Sequence, residues 1–117
     1  MSLKETKKRQ MDKFIKVSRE EIKKYNKTKD VIYLRQAGNK LYNAHIYYLE
    51  MKFGKELKSH NEVIFKGREL SKEDKKFKQL RRNVMSLHKW FYEGPEDEKE
   101  VKEIIIETLK LFWKVSK

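Results

Sequence analysis

The amino-acid sequence predicts an all-α protein, folded as an antiparallel bundle of four main helices and one short helix. Apolar residues recur at steps of three and four, and β-branched residues do not alternate with polar ones. The 117-residue chain holds only four glycines and one proline. This length fits one domain, so we expect a single helical domain over residues 1–117. Because 38% of the residues are hydrophobic and 41% are charged, each helix should contribute only a narrow stripe to the core.

The first two helices are predicted over residues 3–26 and 30–53. Thr28 or Asp30 has a side chain suited to cap the second helix. Gly38 lies inside that helix at a cost in helix propensity, so the close approach of another helix is expected there. The apolar positions are Met11, Phe14, Ile15, Ser18, Ile22 and Tyr25 in the first helix, and Leu34, Ala37, Leu41, Ala44, Tyr48 and Met51 in the second.

The second half of the chain is predicted to contain a short element over residues 55–70 and two further helices over 72–92 and 96–115. Ser71 is expected to start the third main helix, since acidic residues follow it. Pro95 is suited to the first turn of the fourth. The inward-facing positions are Phe77, Leu80, Val84, Leu87 and Phe91 in the third helix, and Val101, Ile104, Ile105, Leu109, Phe112 and Val115 in the fourth.

Two features of the chain indicate binding partners. The formal net charge is +12, and residues 1–29 and 66–89 carry net charges of +7 and +6. Such a charge favours a polyanion, either nucleic acid or an anionic membrane surface, although it also serves solubility. Residues 93–107 carry −5 and suit a basic helix beside them. Leu111 and Trp113 extend the apolar surface of the last helix, which favours a subunit interface.

Several classes of protein are excluded or disfavoured. The chain has no cysteine, which rules out disulfides, thiolate metal sites and a cysteine nucleophile. No apolar run approaches the roughly 20 residues that cross a bilayer, and the charged N-terminal residues lack a signal-peptide segment. We therefore expect a cytoplasmic protein without membrane insertion. The glycines lie apart and the histidines lack zinc-like spacing, so neither a cofactor nor a metal is expected.

The segment from Arg81 to His88 is the strongest candidate for chemistry. An arginine holds a phosphate through its planar fork, and a histidine gives and takes a proton near neutral pH. Together they suffice for RNA cleavage without a metal ion, because the arginine stabilises the charge on phosphorus. On a regular helix Arg81 and His88 lie about 20° apart, whereas Arg82 and His88 lie about 120° apart. Arg82 therefore requires a bend or a dimer interface.

Neighbouring residues suit contacts with single-stranded nucleic acid. Lys78 and Lys89 supply positive charge, and Trp90 and Tyr92 present rings on which bases can stack. The alternative interpretation is structural. In that case the arginines form a solvated basic face, and the aromatic residues pack at the end of the helix, as we expect for Phe91.

One segment resembles the arginine–histidine motif of HEPN domains, which are helical bundles. It consists of Arg82-Asn83, followed by His88, with five residues between Arg82 and His88. Three other segments resemble signatures of the archaeal PaREP-type family in the same order. They are Ala37–Ala44 (Ala-Gly-Asn-Lys-Leu-Tyr-Asn-Ala), Ser59-His60, and Leu87–Glu93, which contains a Leu-His pair and a Phe-Tyr-Glu triplet. That family is placed with HEPN-like folds, and the resemblance spans about residues 30–113.

This resemblance implies a HEPN-like homodimer that binds RNA and cleaves it as a metal-independent endoribonuclease. His88 would be the general acid or base, Arg82 or Arg81 would hold the phosphate, and Asn83 would orient the site. Some HEPN domains instead pair with nucleotidyltransferases in toxin–antitoxin modules, so a non-catalytic interaction protein is the alternative. Some HEPN domains of such modules carry a tyrosine two residues after the histidine. Trp90 occupies that position in this chain, so modification of such a tyrosine is not expected.

Overall fold

The computed structural model describes residues 2–94 and 97–115, which fold into five α-helices. These are α1 (Leu3–Thr28), α2 (Val31–Phe53), α3 (His60–Glu73), α4 (Lys75–Glu93) and α5 (Glu98–Val115). No strand occurs among the described residues. The predicted all-α class is confirmed, and α3, with 14 residues, corresponds to the predicted short element. Within this part of the chain, no helix combines the length and the apolar character needed to span a bilayer.

The connection between α1 and α2 is short and well capped. Asp30, and not Thr28, caps α2, because its carboxylate accepts a hydrogen bond from the amide of Ile32 at 3.0 Å. Thr28 is instead the last residue of α1, which runs two residues further than predicted. Lys29 ends α1 in the left-handed conformation, with φ of 59°. Since only Lys29 and Asp30 separate the helices, α2 folds back along α1.

The predicted boundary between α3 and α4 is wrong. Ser71 does not start a helix but lies inside α3, where its hydroxyl donates to the carbonyl of Gly67 at 2.7 Å. Asp74 separates the two helices, and its carboxylate accepts hydrogen bonds from two amides in the first turn of α4. A side chain that satisfies two such amides is an effective N-cap, so α4 begins at Lys75. Ser59 caps α3 in the same way.

The described part of α5 begins with a capped first turn. The carboxylate of Asp97 accepts hydrogen bonds from the amides of Lys99 and Glu100, and α5 begins at Glu98. The predicted start at residues 95 and 96 lies outside the described residues.

Helix α2 lies at the centre of the fold and contacts each of the other four helices. The close approach predicted at Gly38 is confirmed, because a Cβ atom at this position would lie 3.1 Å from the Cβ of Leu87. This contact holds α4 against α2 just before His88. Every predicted core position is buried or partly buried, while Trp113 is 63% exposed.

A buried ion pair fixes the segment that connects α2 to α3. Glu50, which is 5% exposed, lies 3.2 Å from the ammonium group of Lys7 on α1. Its other carboxylate oxygen accepts a hydrogen bond from the amide of Leu57 at 2.8 Å. The chain between Gly54 and Ser59 is therefore tied to both α1 and α2, and it forms one wall of the cleft described below.

Candidate functional site

A cleft of about 460 Å³ opens where α2, α3 and α4 meet the segment that precedes α3. Tyr42 comes from α2, His60 from the first turn of α3, and His88 and Tyr92 from α4. The other lining residues are Asn39, Asn43, Ile46, Leu57, Lys58, Ser59 and Val63. This described lining is aromatic and polar, contains Lys58 and holds no carboxylate, so the cleft suits an aromatic or anionic ligand.

His88 lies against Tyr42 on the wall of the cleft. The two rings are stacked, with centroids 3.8 Å apart and an angle of 15° between their planes. The Nδ1 atom of His88 is buried and has no hydrogen-bond partner among the described residues. Burial lowers the pKa of His88 below 6.5, and the nearby charge of His60 lowers it further. His88 is therefore mostly uncharged at neutral pH, and Nε2 is the nitrogen left to exchange a proton with a ligand.

His45 lies beneath the cleft and is fully buried. Its Nδ1 is hydrogen-bonded to the carbonyl of Tyr42, one turn earlier in α2. Burial lowers the pKa of His45 to about 4; the hydrogen bond to Tyr42 opposes this change, and the positive charges of Arg81 and His88 add to it. The neutral ring packs 4.9 Å from the ring of Tyr42. His45 therefore supports the cleft from below rather than taking part in proton transfer at neutral pH.

Arg81 lies on the same side of α4 as His88, two turns earlier, and its guanidinium group lies across Gly67 of α3. A Cβ atom at Gly67 would be only 2.7 Å from the Nε atom of Arg81. Burial lowers the pKa of Arg81, the charge of Arg68 lowers it further, and Tyr42 opposes the change. Arg81 forms no ion pair with a described carboxylate. Tyr42 stacks on His88 and also lies near Arg81: burial raises the pKa of Tyr42, and the charge of Arg81 opposes this rise.

Arg81 is not among the residues that line the cleft, and neither are the other two residues of the predicted arginine–histidine motif. Helix α4 is continuous from Lys75 to Glu93, and Arg82 is exposed and does not line the cleft. Asn83 is 7% exposed, and its amide donates to Glu107 of α5 at 3.1 Å and accepts from Gln79 at 3.0 Å. These bonds direct Asn83 to the contact with α5, so in this structure it does not touch the cleft.

Of the residues predicted to contact nucleic acid, only Tyr92 lines the cleft. Tyr92 is 70% exposed at the mouth of the cleft, with its ring edge-on to His88 at 5.0 Å. Lys89 is exposed and lies 4.0 Å from the carboxylate of Glu93. Lys78 is exposed, and Trp90 is partly buried against the core. Tyr92 is thus the predicted aromatic residue that a ligand in the cleft would meet.

Four residues near the site were not predicted from the sequence. Tyr42 and His60 line the cleft, while Gly67 and Arg68 lie beside Arg81. Gly67-Arg68 was a usable signal for a close contact with another helix. Glycine in a helix interior costs stability, so its presence there indicates that another group approaches it closely. The meeting of His60 with His88 depends on helix packing, and no spacing in the sequence indicates it.

No protein-family model, curated protein or solved structure matches this chain. Within the described residues, no group of three or more histidine, aspartate or glutamate side chains is placed to hold a metal ion. What the site offers is a histidine that can exchange a proton, a guanidinium group free to bind an anion, and aromatic rings that can stack on a base.

Proposed function

We propose that this protein binds single-stranded RNA at the cleft beside α4 and cleaves it without a metal ion. The observation that carries the proposal is a pair of groups on one side of α4. His88 lines the cleft, and Arg81 lacks a carboxylate partner among the described residues. A partly desolvated arginine without a counter-ion favours an incoming phosphate, which supplies both negative charge and hydrogen-bond acceptors.

The lining of the cleft supports a nucleotide as the ligand. A base can stack on the exposed ring of Tyr92, a contact that tolerates any base. Lys58 in the lining adds positive charge to that of Arg81. This set of groups favours single-stranded RNA over a duplex, because the bases of a duplex are not available for stacking on a protein side chain.

The proposed reaction is an attack by the 2′-hydroxyl on the adjacent phosphorus. Nε2 of His88 takes the proton from this hydroxyl while the O2′–P bond forms and the P–O5′ bond breaks. The leaving oxygen takes a proton from water, and the hydroxide that remains removes the proton from His88. The products are a 2′,3′-cyclic phosphate and a 5′-hydroxyl, and His88 is neutral again. The bound phosphate raises the pKa of His88 towards neutral pH, since an opposite charge nearby favours the protonated imidazole. Arg81 stabilises the negative charge of the RNA backbone.

Cleavage of single-stranded RNA in EDTA tests this proposal. We expect wild-type protein to produce 2′,3′-cyclic phosphate ends, and His88→Ala to lose at least 100-fold in rate, since a positioned acid–base group contributes roughly 10²–10⁴-fold. Arg81→Ala should weaken activity more than Arg82→Ala. Arg9→Ala, an exposed change on α1, is the matched control. Equal activity of wild type and His88→Ala would refute the catalytic proposal. RNA binding without any cleavage would favour a non-catalytic protein, such as a nucleotidyltransferase partner.

The proposal includes a homodimer with a HEPN-like arrangement of helices. Trp113 is exposed beside Ile15, Leu109 and Phe112 in a groove between α1 and α5 whose other lining residues are charged (Lys8, Asp12 and Arg19). An exposed tryptophan in a groove with a charged rim favours a subunit interface. Light scattering coupled to size-exclusion chromatography tests it. We expect the mass of a dimer for wild type and the mass of a monomer for Trp113→Glu. A wild-type monomer at all concentrations would refute the dimer, and RNA cleavage by that monomer would show that the site functions alone.

A further inference from the structure

We propose that Arg68 and Arg81 together form an anion site that binds a phosphodiester of the RNA strand next to the one at His88. We call this pair, with Gly67, against which Arg81 packs, the arginine clamp. The inference rests on the proposed function for the identity of its ligand. Its geometry, however, is independent of His88 and of the cleft lining.

The first observation is the way in which Arg81 packs. Gly67 lies in the interior of α3, at a position where alanine would make a more stable helix. The guanidinium group of Arg81 occupies the space that a side chain at residue 67 would need, with Nε only 2.7 Å from an ideal Cβ. Glycine thus lets Arg81 lie close to the surface of α3, next to Arg68.

The second observation is the charge around the clamp. Arg68 is near enough to disfavour the charged form of Arg81, and its effect adds to that of burial on the pKa of Arg81. Neither arginine forms an ion pair with a described carboxylate, and the adjacent Glu69 is paired with Lys66 at 3.3 Å. Two like charges close to each other without a counter-ion repel, and a bound anion removes that repulsion.

The third observation concerns what kind of anion fits. Two guanidinium groups supply forked donors that match the non-bridging oxygens of a phosphate. Arg81 and His88 are seven residues apart, or about 10 Å along α4. The clamp and the cleft are therefore neighbours along α4, and Tyr42 stacks on His88 and is influenced by the charge of Arg81. One extended strand can cross both.

Binding of a fluorescent single-stranded RNA oligonucleotide at several salt concentrations tests the clamp. Each cation that neutralises a phosphate contributes about 0.7 to the slope of log affinity against log salt for a single strand. We therefore expect Arg68→Ala/Arg81→Ala to lower the slope by about 1.4 and to weaken binding at least tenfold, as for loss of charged hydrogen bonds. The control Lys99→Ala/Lys110→Ala removes the same charge from α5 and should change both quantities less.

Gly67→Ala provides a second test that keeps both charges. The added methyl group displaces the flexible end of Arg81 and fills no other space, so the fold should tolerate it. Because alanine favours a helix interior, this variant should melt at the same temperature as wild type or higher. It should nevertheless bind RNA more weakly. Unchanged RNA affinity of Gly67→Ala, or an equal effect of the two double variants, would overturn the clamp.

The clamp and the proposed ribonuclease function can fail separately. Titration with inorganic phosphate, followed through the NMR signals of the arginine Nε–H groups, should shift Arg68 and Arg81 together and saturate. If wild-type protein bound no RNA but showed this response, the anion site would stand and the RNA function would fall. If His88→Ala abolished cleavage while phosphate left both arginine signals unchanged, the ribonuclease would stand and the clamp would fall.

Discussion

The buried, neutral His45 should make the protein sensitive to mild acid. In the unfolded chain this imidazole takes up a proton near pH 6.5, whereas in the folded protein it does so only near pH 4. Its contribution to stability is therefore fully present above pH 6.5 and is lost as the pH falls towards 4. From these two values, lowering the pH from 7 to 5 costs about 2 kcal/mol of unfolding free energy through His45 alone, and lowering it to 4 costs about 3 kcal/mol.

Urea denaturation at pH 7, 6 and 5 measures this loss. The variant His45→Asn keeps an N–H donor for the carbonyl of Tyr42 but has no proton to gain, so its stability should fall by about 2 kcal/mol less than that of wild type over this range. His88 contributes in the same direction, because its pKa is also lowered. The variant His88→Asn should therefore keep the larger part of the pH dependence of stability, which is due to His45. An equal pH dependence of wild type and His45→Asn would refute the reasoning.

Two further predictions concern packing and the buried ion pair. Gly38→Ala places a methyl group 3.1 Å from the Cβ of Leu87, which cannot rotate away, so it should destabilise the protein by about 1 kcal/mol in urea denaturation despite the gain in helix propensity. A Gly38→Ala variant as stable as wild type would contradict the close packing of α2 on α4. Glu50→Ala leaves the buried ammonium group of Lys7 with only the exposed carboxylate of Glu56, at 3.5 Å, and removes the acceptor of the Leu57 amide, so a loss of about 2 kcal/mol is expected. The double variant Lys7→Met/Glu50→Leu should recover part of that loss. If Glu50→Ala alone lost no stability, the ion pair would not be buried away from water.

The opposite outcomes expected for two identical substitutions show how far a sequence pattern can be interpreted. Gly38 and Gly67 are both glycines within helices, and sequence reasoning predicted a close neighbour only for Gly38. At Gly38 the neighbour is the Cβ of Leu87, and at Gly67 it is the movable end of Arg81. Composition and spacing indicate that something approaches a helical glycine. Which atom approaches, and whether it can move, depends on how α2, α3 and α4 pack.

The helix boundaries were predictable only in part, because more than one side chain near a helix start can act as its cap. Asp30 was one of two predicted caps, and the structure selects it. Ser71 and Asp74 both precede α4, and the sequence-based choice of Ser71 was wrong because Asp74 caps two amides at once. A serine in a helix can satisfy its hydroxyl on the carbonyl four residues earlier, as Ser71 does, so its presence alone does not mark a helix start.

Three properties could be predicted from the sequence: the all-α class, the buried faces of the helices, and the position of Arg81 and His88 on one side of a regular helix. These properties follow from the period of 3.6 residues, which is local. The tertiary structure alone decided what that side of α4 meets. The packing of α2 and α3 on α4 brings Tyr42 and His60 to His88, brings Arg68 to Arg81, and turns Asn83 towards Glu107. Contacts between residues distant in the chain depend on how helices pack, and helical periodicity carries no information about that.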